Sequence, residues 1–252
     1  MFSPGGPTLR ELAVQALSSV ERGYDLLAPK FDRTPYRTPA PVLDAVADAL
    51  APLGPFGTGL DLCCGTGAGL DVLARLCRDR VTGVDFSAGM LAVADRRAAP
   101  GAPAASLVRA DARALPFRPA FDLAVSFGAF GHFLPRELPG LFAGVHAVLR
   151  PGGCFAFPVA APPRPGSPGY WTLLGFDAAM RVRNAVWRPP FVMYYRTFRL
   201  GEVGRELARA GFRTELRPLP SFGRRADGSP RVRLVTAWRT GAAQPAAGRV
   251  NS

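Results

Sequence analysis

Gly59-Leu60-Asp61-Leu62-Cys63-Cys64-Gly65-Thr66-Gly67 is the stretch on which the fold turns. It reads as a short apolar strand running into a glycine turn and then a helix. Glycines at such a turn let the backbone approach a ligand closely, and the helix behind it offers unpaired N–H groups. Many nucleotide sites share that signal, so its neighbours decide its meaning. The next strand ends in Val84-Asp85-Phe86-Ser87, with a carboxylate 24 residues after Asp61. A carboxylate there can accept hydrogen bonds from both hydroxyls of a ribose. A third strand ends in Arg109-Ala110-Asp111-Ala112, a second acid for the adenine end. A fourth reads Phe121-Asp122-Leu123-Ala124-Val125-Ser126-Phe127, and the helix after it closes in Leu149-Arg150-Pro151-Gly152-Gly153.

Outward from this stretch, short apolar segments alternate with amphipathic ones. Strands are expected at 58–63, 80–85, 104–109, 121–127 and 153–159, and helices at 68–79, 87–98 and 136–149. In the last of these, Leu138, Leu141, Phe142, Val145, Val148 and Leu149 follow the helical period. Such alternation predicts a doubly wound, mostly parallel sheet with helices on both faces. A helix at 201–210 and strands near 212–217 and 231–238 complete a seven-stranded α/β fold. Before the core, a helix is expected from Leu9 to Arg22, opened by a capping box at Thr8 and Glu11 and ended by Gly23. Four prolines within 28–41 predict an extended connection, and a second helix runs from Pro41 to Leu50. The divisions read as 1–56 for the N-terminal helices and cover, 57–160 for the core, 161–199 for an insertion after the fifth strand, and 200–240 for its completion. The tail 241–252 is expected to be disordered.

Composition narrows the chemistry. Lys30 is the only lysine, so no Gly-Lys-Ser/Thr phosphate loop exists, and a lysine Schiff base has one candidate. Two histidines, His132 and His146, argue against a histidine-rich metal site, and four cysteines without a Cys-x-x-Cys pair argue against a zinc knuckle or disulfide framework, so no metal site is expected. The longest apolar run, Ala120 to Leu134, carries Asp122 and His132 and is broken by Gly128 and Gly131, so no transmembrane segment is read. No signal peptide is apparent, and a cytoplasmic location is expected. Charge is uneven. Residues 41–150 hold ten acids and ten bases, whereas 181–240 hold fourteen arginines against Glu202, Glu206, Glu215 and Asp227.

Taken in order, LDLCCGTG, GVDFS, ADA, LPF, FDLAVSFG and LRPGG resemble the class I S-adenosylmethionine-dependent methyltransferases, a Rossmann-like family. They look closest to the branch that includes the ubiquinone and menaquinone biosynthesis enzymes. The resemblance covers roughly residues 24–160. It implies S-adenosylmethionine as cofactor, with Asp61, Cys63, Gly65 and Gly67 forming the turn around the methionine part. Asp85 would bind the ribose, Phe86 would pack on the adenine, Asp111 and the Ala112 backbone would meet the adenine amino edge, and Ser126 would lie near the sulfonium. Cys63 stands where the family commonly has glycine. Tyr24-Asp25-Leu26-Leu27-Ala28 followed by Thr34 to Pro39 resembles the family's N-terminal cover. Arg37 there either pairs with the methionine carboxylate, for which a guanidinium fork is suited, or is a solvated loop charge.

On the acceptor side the sequence leaves more open. His132 either takes a proton from a hydroxyl or amine acceptor or has a structural role. Within the insertion, Trp171, Trp187, Tyr194 and Tyr195 are candidate acceptor-pocket residues, interleaved with Arg181, Arg183, Arg188 and Arg196. The alternative is that these aromatics pack on the core while the arginines are solvated. The implied partner is a small-molecule acceptor, aromatic or anionic. Peripheral contact with an anionic membrane also suits this composition. Nucleic acid is disfavoured, because Ser126-Phe127-Gly128-Ala129 replaces the Asn/Asp-Pro-Pro-Tyr/Phe motif of amino-directed nucleic-acid enzymes. A nicotinamide-dependent dehydrogenase is disfavoured too: Leu70 stands at the third glycine of the dinucleotide fingerprint.

Overall fold

A computed structural model of the chain describes residues 5–8, 10–11, 14, 18–34, 36–97, 104–164, 166–172, 174–175, 178, 182 and 200–240. Its central strand, β1 (Phe56–Leu62), carries the quoted stretch and is buried on both faces from Gly59 onward. A strand covered on both sides needs consecutive apolar residues, as Leu60 and Leu62 with the small Gly59 supply. Around it lie β2 (Cys77–Asp85), β3 (Ala104–Arg109), β4 (Phe121–Val125), β5 (Leu149–Ala160), β6 (Phe212–Pro218) and β7 (Val232–Arg239). Their order in the single seven-stranded sheet is β3-β2-β1-β4-β5-β7-β6. The first five pair in parallel, and β7 is antiparallel to both β5 and β6.

Helices α2 (Ala40–Leu50) and α3 (Ala68–Leu76) cover one face, where Val46, Leu50, Leu73 and Leu76 meet Leu123, Val125 and Cys154. Helices α5 (Leu138–Val148) and α6 (Leu200–Arg209) cover the other, where Leu141, Phe142, Val203 and Leu207 meet Leu60, Leu62 and Phe155. Helices α1 (Val20–Leu27) and α4 (Ala88–Arg97) pack together, and α4 also lies against β3 and β2. The chain winds outward from β1 through β2 to β3, then returns to β4 on the other side of β1. That reversal opens a crevice above the carboxyl ends of β1 and β4, the position at which open α/β sheets take ligands.

The N-terminal segment departs from the expected layout. Thr8 and Glu11 do form the reciprocal capping box. Gly23, however, is inside a helix rather than after one. A new helix begins at Val20 because Ser19, in extended conformation, accepts the Arg22 N–H on its side chain. The proline-rich stretch is not extended throughout: Ala28–Arg33 forms a 3-10 helix. Pro29 lies in its first turn, where a missing N–H costs nothing. Helix α3 ends three residues earlier than expected, because β2 already starts at Cys77. The expected tail at 241–252 lies outside the described residues.

Candidate active site

The glycine turn after β1 is shaped by three left-handed residues: Cys63 (φ 57°), Gly65 (φ 52°) and Gly67 (φ 90°). Cys63 is the one non-glycine among them, and an L-residue held in this region is strained by roughly 1–3 kcal/mol. The turn is anchored from below and from the side. Cys64 donates its N–H to the Val84 carbonyl at 2.9 Å, and Gly65 donates its N–H to Asp85 Oδ2 at 2.9 Å. Asp85 Oδ1 accepts the Ser87 N–H at 2.9 Å. The Asp85 carboxylate is thus fixed by two backbone donors while it faces the crevice. Burial raises its pKa, and the amides of Ser87, Gly65 and Phe86 oppose that rise.

The crevice is a cleft of about 380 Å³, in the range of small-molecule sites. Cys63, Gly65, Asp85, Phe86, Asp111, Ala112 and Tyr24, all singled out from sequence, line it together. Tyr24 reaches the cleft from α1 and meets Phe86 edge-to-face, with ring centroids 6.3 Å apart. Burial, with the Asp85 charge nearby, pushes the Tyr24 phenol up, so it stays protonated. Asp111 is held by Arg113, whose guanidinium also reaches Glu137 Oε1 at 2.8 Å. That pairing keeps the Asp111 carboxyl below its ordinary value.

Four other sequence candidates sit around the cleft rather than in its wall. Asp61 is buried beneath the start of α3, so close to Gly69 that a Cβ there would fall 2.4 Å from its Oδ2. Burial and the Asp85 charge drive its pKa well up, and the Leu70 and Gly69 amides oppose this. Gly67 precedes α3 as its N-cap. Ser126 is fully buried and donates its hydroxyl to the Leu62 carbonyl at 2.9 Å, joining β4 to β1 under the cleft. Arg37 lies 3.4 Å from Asp32 by its Nε, an atom that is buried and makes no hydrogen bond. Asp32 in turn accepts the Thr66 hydroxyl at 2.6 Å, tying the cover to the glycine turn.

Phe127, Gly128, Ala129, Gly131 and Phe133 complete the wall. His132 belongs to the 3-10 turn Phe130–His132, and its side chain lies outside the described residues. Trp171 is 60% exposed and does not line the cleft; Trp187, Tyr194 and Tyr195 lie outside the described residues. Sequence reasoning passed over Asp25, whose Oδ1 accepts the Ser87 hydroxyl at 2.6 Å and the Gly89 N–H at 2.8 Å. This carboxylate clamps α1 onto the start of α4 and so holds Tyr24 over Phe86. Arg113, Tyr36 and Phe133 were also missed. For Asp25 one signal existed: the start of α4 at Ala88-Gly89-Met90-Leu91 carries no acid of its own, so an acid from elsewhere suits it.

Residues 60–153 match the family described as "Methyltransferase domain". An uncharacterized methyltransferase of Synechocystis sp. is 34% identical over 130 residues, which are 51% of this chain. The chain spans 58% of the length of that curated relative. Among solved structures, an S-adenosylmethionine-dependent methyltransferase from Mesorhizobium loti is 26% identical with a TM-score of 0.54, covering 78% of this chain and all (100%) of that one. The magnesium protoporphyrin IX methyltransferase of Synechocystis PCC 6803, solved with bound SAH, is 17% identical with a TM-score of 0.54 over 79% of this chain and 81% of that one. At that identity the likeness speaks to fold alone.

Proposed function

We propose that this chain, whose residues 60–153 match a methyltransferase domain, is a class I S-adenosylmethionine-dependent enzyme that transfers a methyl group to a small-molecule acceptor. One observation carries the reading: acids and aromatics from the ends of β2, β3 and α1 converge with the glycine turn on a single cleft. The donor set suits a nucleoside with a charged amino-acid arm. Asp85 has lone pairs left after accepting two amides, so it can take ribose hydroxyls. Phe86, backed by Tyr24, offers a face to the adenine. Asp111 is kept ionised by Arg113 and can still accept from an adenine amino group, because a carboxylate has about four lone-pair sites. The proposed role of Arg37, whose Nε is buried without a hydrogen bond 3.4 Å from Asp32, is to meet the carboxylate of that arm from the cover.

The bound sulfonium would supply an already activated methyl group, so no nucleophilic side chain is required. The task of the protein is then alignment of the acceptor and exclusion of water. Phe127 and Phe133 furnish apolar walls on that side. The proposed role of His132 is to accept the proton of a hydroxyl or amine acceptor as the new bond forms. Calorimetry with S-adenosylhomocysteine and with NAD tests the cofactor, and mass spectrometry of a metabolite extract incubated with labelled S-adenosylmethionine tests the transfer. Binding of S-adenosylhomocysteine and a labelled product are expected; NAD binding without response to S-adenosylhomocysteine would overturn the reading. If the acceptor is a hydroxyl or amine, His132→Ala should lower turnover about 10²–10⁴-fold, and full turnover would remove it from the chemistry.

A further inference from the structure

The sheet ends in β5-β7-β6, so β6 is an edge strand, about 19 Å from β1 at four strand spacings. It pairs with β7 without a bulge from Phe212 to Pro218. Among the described residues no strand takes its other side, which leaves a row of main-chain N–H and C=O groups along that edge. Which residues offer them can be read from one bond. Leu219 donates its N–H to the Val232 carbonyl at 3.0 Å, continuing the β6–β7 register. Main-chain groups alternate sides along a strand, so those of Phe212, Thr214 and Leu216 point outward. Pro218 follows them in the alternation but has no N–H to offer.

The side chains alternate as well, between the two faces of the sheet. Phe212, Thr214 and Leu216 share one face, where Phe212 enters the core with Val203 and Leu207 of α6. Leu216 on that face is 51% exposed. The other face carries Arg213, Glu215 and Arg217, with Glu215 Oε1 3.1 Å from Arg213 and Oε2 3.2 Å from Arg217. Edges are commonly guarded by charge, but a guard of alternating sign does not repel its own copy. It restricts how that copy can lie.

In an antiparallel pair, residues directly opposite share a face, so a two-fold axis between two copies of β6 passes through one residue and fixes every other pair. An axis at Arg213 sets that arginine against itself. An axis at Glu215 opposes the two glutamates and sets Arg213 against Arg217. An axis at Leu216 matches Glu215 to Arg217 but places Pro218 opposite Thr214, where the ladder lacks a donor. An axis at Thr214 meets every condition. Thr214 faces Thr214, Phe212 faces Leu216, and each of these pairs exchanges both its main-chain bonds. The exposed Leu216 is then covered by Phe212 of the second copy, and Arg213 lies opposite Glu215 on the other face. Helix α6 packs on both β6 and α5, so the same axis brings this outermost helix beside its copy and widens the contact beyond the strands, as a stable dimer needs. Pairing of β6 with β3, the other edge, would be heterologous and leave an open chain of copies.

We propose that β6 pairs antiparallel with β6 of a second copy about a two-fold axis at Thr214, joining two sheets into one. The dimer stands whether or not the methyltransferase reading does. Sedimentation velocity of the full chain over a range of concentrations tests it, and a monomer–dimer equilibrium is expected. Glu215→Arg sets like charges opposite each other in both Arg213–Glu215 pairs and should raise the dimer dissociation constant at least about tenfold. Adding Arg213→Glu exchanges the two charges and should restore the dimer, whereas adding Arg217→Glu instead should not. Thermal denaturation shows that each variant is folded, and each should bind S-adenosylhomocysteine as the parent does. A parent that stays monomeric at every concentration, a dimer indifferent to Glu215→Arg, rescue by Arg217→Glu in place of Arg213→Glu, or open-ended oligomers overturns the proposal. Failure of the parent chain to bind S-adenosylhomocysteine would strike the functional reading and leave the sedimentation result standing.

Discussion

Replacing Asp85 by alanine sets two consequences of one buried carboxylate against each other. The side chain belongs to a residue only 7% exposed, accepts the Gly65 and Ser87 amides at 2.9 Å, and lines the cleft. Its burial raises its pKa, so the ionised form is disfavoured in the unliganded fold. In the window between its ordinary value of 3.8 and the raised one, the folded chain therefore binds more protons than the unfolded chain. Stability from this group is present at the acid end of that window and is lost as pH rises through the folded pKa. Binding has the opposite sign, because ribose hydroxyls donate to the ionised form. Affinity for S-adenosylhomocysteine should fall as pH drops through the raised pKa. A hydrogen bond to a charged group is worth about 1.5–3 kcal/mol, so Asp85→Ala should weaken binding roughly 10- to 150-fold. Removal of a desolvated charge offsets the loss of the two amide bonds, and the melting midpoint should move by only about 4 °C, near 1 kcal/mol for a chain of this size. Calorimetry across pH and thermal denaturation read the two effects separately. A mutant that binds S-adenosylhomocysteine as tightly as the parent, or keeps the acid-side fall in affinity, would refute the assignment.

Two further changes probe the scaffold around that carboxylate. A Cβ at Gly89 would fall 2.9 Å from Asp25 Cα and 3.0 Å from the Asp25 carbonyl, atoms of a backbone that cannot swing aside. Gly89→Ala should therefore push α1 off α4, weaken S-adenosylhomocysteine binding and speed proteolysis of the N-terminal segment; no change in either would discount the clamp. At Cys63, φ 57° admits glycine without strain and a β-branched residue poorly. Cys63→Val should lower the midpoint in thermal denaturation, because β-branching adds to the strain cysteine already bears there, while Cys63→Gly relieves that strain and stays at or above the parent; equal midpoints would show that the turn does not need this conformation.

Most of the fold was legible because its signals are local. The alternation of short apolar strands with helices of 3.6 period determines which faces are buried, and a strand such as Gly59–Leu62 without polar relief except Asp61 must lie at the centre of a sheet. The expected strand ends then brought Asp85, Asp111 and the glycine turn to the same edge, and the structure has them around one cleft. Boundaries shifted where two signals compete. Pro29 reads as a helix breaker in a run of prolines, yet in a first turn it favours the helix. Gly23 reads as a stop only if the helix before it continues from Leu9, and Ser19 begins a new one.

What stayed illegible is the pairing of polar residues far apart in sequence. Asp25 meets Ser87 and Gly89, Asp32 meets Thr66, and Arg113 meets Glu137. No periodicity encodes these contacts, because an exposed-looking acid near the N-terminus has the same local signature whether it caps a distant helix or faces water. Yet these pairs decide the site more than the glycine turn does. Asp25 closes the cover over Phe86, and Asp32 links that cover to the turn. Arg113, bridging Asp111 to Glu137, joins the part of the cleft at the end of β3 to Leu134, whose N–H Glu137 Oε2 accepts at 2.7 Å. Leu134 follows Phe133, which also lines the cleft. A change at Arg113 should therefore be felt on both sides of the cleft, although the residue belongs to neither motif from which the site was read.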